Sequence, residues 1–206
     1  MNKMRAVMAA RKAAKGLDFA PTHPWATRTI CEWLRDVAGE DLHNQTCLEP
    51  ACGEGHMVRP LREYFRLVRG TDIKDYGHGF KVRNFISGRV MRADWIFTNP
   101  PFSANGPEKF MLRALQGARC GVVIFGRTGL LEGITRYRDI WQQHPPTDVL
   151  QFVERVPLLM GRLDPTSGTA TAYCALVWRK RHMDGETRLR WLPPDSRRLK
   201  HAGDYQ

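Results

Sequence analysis

Two short stretches and one distant acid hold the residue types that could do chemistry together. "TNPPF", Thr98 to Phe102, follows directly on the strand-like run "ADWIF". Its two prolines remove backbone donors and stiffen the chain, so the asparagine before them is held in one conformation. A planar exocyclic amine, such as N6 of adenine, is a poor nucleophile because its lone pair is delocalised into the ring. Two acceptors aimed at its two N–H bonds favour a pyramidal nitrogen. Asn99 can supply a side-chain oxygen and Pro100 a backbone carbonyl. Pro101 locks the turn, and Phe102 offers a face on which a base stacks. Such a nitrogen beside an electrophilic carbon needs positioning and electrostatics more than a strong base.

The second stretch, "EPACGEG", places Gly53 and Gly55 in a turn between a strand and a helix. Glycine there permits positive φ or a close approach of backbone to ligand, and the helix start beyond it offers free N–H groups. The G-x-G spacing lacks the third glycine of a dinucleotide fingerprint and is weak alone. Asp72, ending the next strand-like run, strengthens it, because an acid about 20 residues beyond such a loop binds a ribose hydroxyl pair in Rossmann-like sheets. A glycine turn beside an unrelated surface aspartate would show the same letters. Glu49, beside the loop, can accept hydrogen bonds from a ligand amine or serve as a local cap. In an open α/β sheet the strand ends share one crevice, so Gly53, Asp72 and Asn99 are expected to face each other.

Other reactive residues suggest less. His43, Cys47, Cys52 and His56 do not have a recognised zinc spacing, and no metal is expected. Cys52 as a nucleophile would sit in the glycine loop, away from the prolines, and reads as a small buried residue. Glu32, Asp36, Glu40 and Asp41 read as an exposed helix face.

These residues need a frame. The run from Ala26 to Val37 has helical apolar spacing, with Ile30, Trp33, Leu34 and Val37 on one face. "TCLEP", "RLVRGTDI", "ADWIFT" and "CGVVIFGR" read as strands, with "VRPLREYF" and "PEKFMLRALQGA" as helices between them. That alternation predicts an α/β fold with a mostly parallel sheet. Farther on, "TRYRDIWQQH" looks helical. "VLQFVERVPLL" and "GTATAYCALVWRK", joined by the turn-rich "MGRLDPTSG", predict an antiparallel strand pair near the C-terminus. The expected organisation is a basic N-terminal segment over 1–16, one domain over 17–181, and a basic, polar tail over 182–206 with the composition of a partly disordered segment.

The 206 residues carry 32 Lys and Arg against 21 Asp and Glu, a formal net charge of +11. That balance favours an anionic partner. Five cysteines in an odd set, and no apolar h-region at the start, predict a reduced, cytoplasmic setting. Nowhere do about 18 apolar residues run together, which argues against a membrane-spanning helix. No feature of the sequence marks an oligomeric state.

In order, "LEPACGEGHM", "TDI" and "TNPPF" resemble motifs I, II and IV of the S-adenosylmethionine-dependent amino-group DNA methyltransferases, of the N6-adenine type. "DFAPTHPWAT", ahead of motif I, resembles motif X, an order similar to the family's γ arrangement. The likeness spans roughly residues 17 to 180, and motifs I and IV together are more specific than either alone. It implies a Rossmann-like class I methyltransferase fold and S-adenosylmethionine as cofactor. By position, Thr22, Pro24, Glu49, Ala51, Gly53 and Gly55 would surround the methionine part, Asp72 would bind the ribose, and Ile73 would pack on the cofactor adenine. Asn84 and Phe85 stand where the family often has an Asp-Phe pair on that adenine, and His23 interrupts the usual Thr-Pro of motif X. Asn99, Pro100, Pro101 and Phe102 would hold the target base.

The resemblance points to methyl transfer to adenine N6 in DNA. Cytosine N4, an RNA adenine or a protein glutamine also suits an Asn-Pro-Pro-aromatic turn, and a catalytically silent nucleic-acid-binding subunit is the alternative of another class. Arg127, Arg136, Arg138 and Arg162 are candidate contacts to phosphates or bases, each equally readable as part of a solvated face.

Overall fold

The computed structural model describes residues 18–102 and 106–205; the basic segment over 1–16 lies outside them. Helix α1, Pro24–Glu32, starts with proline at a position whose N–H would have no helical partner anyway. It runs into a wider turn, Trp33–Val37, marked by the Ala38 N–H bonding to the Trp33 carbonyl. Ile30, Trp33 and Leu34 are buried as expected, whereas Val37 is 69% exposed. The i to i+5 turn rotates the last residue off the face that regular helical spacing assigns to it.

Strands β1 (Thr46–Glu49), β2 (Leu67–Asp72), β4 (Ala93–Thr98) and β5 (Ala118–Arg127) are parallel neighbours in the order β2-β1-β4-β5. The two-residue β3 (Lys81–Val82), not anticipated from sequence, extends the β2 edge. Beyond β5 lie β7 (Tyr173–Arg179) and then β6 (Asp148–Phe152), with β7 antiparallel to both neighbours. The antiparallel pair is therefore present, and it sits within the sheet. Strand β8 (Arg188–Leu192) runs parallel to β6 and completes the order β3-β2-β1-β4-β5-β7-β6-β8.

Both faces of the central strands are covered. Phe97, Val123 and Phe125 point into one core with Trp25, Ile30 and Leu34 of the α1 region. Ile96, Val122 and Ile124, one residue out of phase, point into the other with Met111 and Trp178. The period of two explains why β5 reads as a continuous apolar run. Helix α2 is only Val58–Leu61, with Glu63 and Tyr64 in tighter i to i+3 turns that bring Phe65 into the core. Helix α3, Gly106–Gly117, covers the second core through Phe110, Met111 and Ala114. A short α4 (Ile134–Arg136) continues as a wide turn to Trp141.

The segment from 182 on, expected as a basic, polar tail, carries secondary structure. β8 joins the sheet, Leu192 and Leu199 are buried, and α5 (Ser196–Leu199) is followed by a turn, Ala202–Tyr205, against α1. There Asp204 and the Leu199 carbonyl bind the buried Arg28 guanidinium at 2.8 Å each, and Glu63 completes the cluster at 2.7 Å. Composition hides this because the ordering contacts come from α1, more than 170 residues upstream by the Arg28–Asp204 separation of 176.

Candidate active site

After β1 the chain moves first to β2 on one side and later to β4 on the other, leaving a crevice at their carboxyl ends. A cavity of about 660 Å³ opens there. It brings together Thr22, Glu49, Ala51, Asp72 and Ile73 with Asn84, Phe85 and the whole Asn99-Pro100-Pro101-Phe102 turn. Pro24, Gly53 and Gly55 are not among the residues that line it.

The glycine loop owes its glycines to the fold itself. Gly53 has φ +51° and Gly55 φ +87°, and a Cβ on either would strike a ring, Phe19 for Gly53 and Phe80 for Gly55. Phe19 lies against Tyr76, with ring centroids 5.0 Å apart, and both form cavity wall. Asp72 accepts from the Gly53 N–H at 2.8 Å and the Lys74 N–H at 3.1 Å, so the acid of β2 ties down the loop after β1.

Glu49 is 1% exposed. Its Oε1 accepts from the Ala51 N–H at 2.9 Å and the Thr98 hydroxyl at 2.6 Å, while Oε2 is buried without a partner among the described residues. Burial pushes its carboxyl up to about 8, against the pull of those two donors. Thr98, one residue before the asparagine, is a site residue that sequence reading passed over. The only signal for it is its place at the end of β4, beside Asn99.

Asn99 has both amide hydrogens engaged. Nδ2 donates to the Ala20 carbonyl and to the Thr22 hydroxyl oxygen, each at 2.9 Å. Oδ1 is buried and has no partner among the described residues. The first residue of α3, Gly106, packs so tightly on the turn that any Cβ there would collide with the Pro101 carbonyl. Phe102 packs against the core, and the Arg127 guanidinium lies 4.9 Å from its ring centroid.

The remaining expected residues divide. Asn84 closes a turn by accepting from the Ile86 and Ser87 N–H groups, and Phe85, buried, lies on Phe110 with centroids 5.1 Å apart. Ile73 is half exposed at the cavity wall. Of the four candidate arginines, Arg127 lies against the proline turn. Arg136 is paired with Glu108 at 2.6 Å, Arg138 with its neighbour Asp139 at 2.5 Å, and Arg162 with Asp164 at 3.5 Å. Cys52 lines the cavity, but burial drives its thiol far up, which suits a packing residue.

No protein-family model and no curated protein matches the chain. Solved structures match its fold. The methyltransferase subunit of a type I restriction-modification system from Streptococcus thermophilus superposes with a TM-score of 0.61 at 11% identity, over 85% of this chain and 47% of that one. A Listeria monocytogenes protein assigned provisionally to the class I S-adenosylmethionine-dependent methyltransferases gives 0.60 at 11% identity, over 84% and 65%. Magnesium protoporphyrin IX methyltransferase from Synechocystis, with S-adenosylmethionine bound, gives 0.50 at 14% identity, over 75% and 77%. The fold is thus that of the class I methyltransferases. The chain spans about half to two thirds of the length of the first two of these structures.

Proposed function

We propose that this chain is an S-adenosylmethionine-dependent methyltransferase acting on the exocyclic N6 amino group of adenine in DNA. The observation that carries the reading is Asn99 Oδ1, an acceptor that is buried without a partner among the described residues and belongs to a residue of the cavity wall. Leaving such an oxygen unpaired costs about 1–3 kcal/mol. A substrate N–H bond removes that cost, and the Pro100 carbonyl beside it is suited to a second.

The residues also fit the cofactor. Glu49 Oε2 is a second buried oxygen without a partner among the described residues; a cofactor ammonium beside it would favour the ionised carboxylate against the desolvation that otherwise keeps it protonated, and Asp72 stands at the end of β2 where a ribose diol is bound in this type of sheet. When bound, S-adenosylmethionine supplies an electrophilic methyl group on a sulfonium. Asn99 and Pro100 orient the target nitrogen and draw its hydrogens, so that its lone pair is free to point at that methyl. Arg127 lies over Phe102, the cavity-wall ring on which the base would stack. Adenine in a duplex must leave the stack to reach this depth, which costs a few kcal/mol. The net charge of +11 and the fold shared with a restriction-modification methyltransferase subunit support DNA as the acceptor.

The test is to incubate the protein with radiolabelled S-adenosylmethionine and unmethylated duplex DNA, then digest and identify the modified nucleoside. Label in N6-methyladenine is expected. Cofactor binding without label in DNA would move the acceptor to RNA, cytosine or protein glutamine; no cofactor binding would favour a silent subunit. Asn99→Ala is expected to abolish transfer with cofactor affinity largely kept, whereas Asp72→Ala weakens the cofactor. Equal losses of cofactor in the two variants, by calorimetry, would refute that division of roles.

A further inference from the structure

The ends of a carboxamide are nearly equal in shape and opposite in hydrogen bonding. Turned one way, Asn99 offers the cavity an acceptor; turned the other, a donor. We propose that Thr22 is a positioning residue that, with the Ala20 carbonyl, holds Asn99 in the acceptor orientation. The inference rests on the reading of Asn99 as the acceptor for the target amine.

Two contacts hold the amide, one fixing its sense and the other its rotation. The Ala20 carbonyl can only accept, so the atom 2.9 Å from it must be the nitrogen. A flipped amide would press two oxygens together. The Thr22 hydroxyl could face either end, but at 2.9 Å from the same nitrogen it takes the second hydrogen and stops rotation about the first bond. Thr22 is 2% exposed, so its hydroxyl is largely withdrawn from bulk solvent. The resemblance gives Thr22 to the cofactor; the structure gives its acceptor to Asn99.

The loop bearing these two groups is itself anchored. The Phe19 carbonyl accepts from the Gly161 N–H at 2.7 Å, Pro24 begins α1, and His23 Nδ1 lies 3.1 Å from the Tyr205 hydroxyl. A helix start and two distant segments thus fix a loop whose free groups point at one side chain. Removing the Thr22 oxygen leaves the amide on one bond and lets Oδ1 swing.

The experiment compares Thr22→Val, which keeps shape without the oxygen, with Thr22→Ser, which keeps the oxygen. The protein has five asparagines, so selective ¹⁵N labelling of asparagine resolves the Asn99 side-chain amide, assigned by its loss in Asn99→Ala. In the wild type and Thr22→Ser both Nδ2 protons should exchange slowly with solvent. In Thr22→Val exchange should speed up on the order of tenfold or more. In parallel, kcat for DNA methylation should fall on the order of 10- to 100-fold in Thr22→Val, with the cofactor Kd within about twofold of wild type. Unchanged exchange in Thr22→Val, or a cofactor affinity that falls in step with kcat, would overturn the proposal. Protection lost in Thr22→Val of a protein that methylates no DNA would uphold the positioning and overturn the DNA reading instead. Should Thr22→Val fail to fold, Thr22→Ala carries the same comparison.

Discussion

Glu49 shows how burial alone can make a residue responsive to pH. A carboxyl in the ordinary range of about 4.5 is pushed to about 8 by desolvation, so near neutrality it is held largely as the acid. A group whose folded pKa lies above its unfolded one contributes stability that is full at low pH and is lost as pH rises from the unfolded to the folded value. From about pH 5 to pH 8 the protein should therefore lose stability through Glu49, with a slope of at most about 1.4 kcal/mol per pH unit. Glu49→Gln removes the titration and keeps the acceptor for Thr98 and Ala51. Urea unfolding at steps between about pH 6 and pH 8 should show the wild type falling relative to Glu49→Gln. Parallel profiles would mean that Glu49 is ionised in the folded site.

At the scale of elements, α1 connects the site to the C-terminal turn. Its first turn follows the loop that contacts Asn99, and Arg28 within it is buried among Glu63, Asp204 and the Leu199 carbonyl. Both oxygens of Asp204 bond Arg28 at 2.8 Å. Asp204→Ala leaves the guanidinium with Glu63 and one carbonyl, so the expected loss is roughly 1–3 kcal/mol, less than that for an ion left wholly unpaired. Chemical unfolding measures it, and a change of a few tenths would show that the turn over Ala202–Tyr205 detaches at little cost. Helix α3 meets the site differently. Gly106 lets it start directly on the Pro101 carbonyl, so the helix that covers one core also backs the proline turn.

For the whole molecule, the excess of 32 basic over 21 acidic residues makes a prediction about binding that no single arginine does. Several of the candidate arginines are already paired with carboxylates, which leaves the field of the whole surface to attract a polyanion. Affinity for a short duplex, followed by fluorescence anisotropy, should fall roughly 10- to 1,000-fold between about 50 and 200 mM salt, as expected if a few phosphates are neutralised. A flat response would exclude duplex DNA as the partner that the charge serves. Among the described residues no helix is long and apolar enough to cross a membrane.

The sequence by itself determined the local parts: the strands that end at Glu49, Asp72 and Thr98, the glycine turn, and the stiff Asn-Pro-Pro-Phe segment. Each rests on short-range causes, such as alternation, missing donors or positive φ, that act within a few residues. Their convergence in one crevice was also legible, because strand ends in an open parallel sheet face the same way. Only the tertiary structure decided which way the Asn99 amide points, that Thr98 engages Glu49, and that Arg127 lies on Phe102 while Arg136 is spent on Glu108. It alone showed that residues 188–205 hold a strand, a short helix and a turn bonded to Arg28. Those outcomes depend on partners far away in the chain, and a side chain's hydrogen-bonding role is set by the atom it meets, which its own neighbours in sequence do not specify.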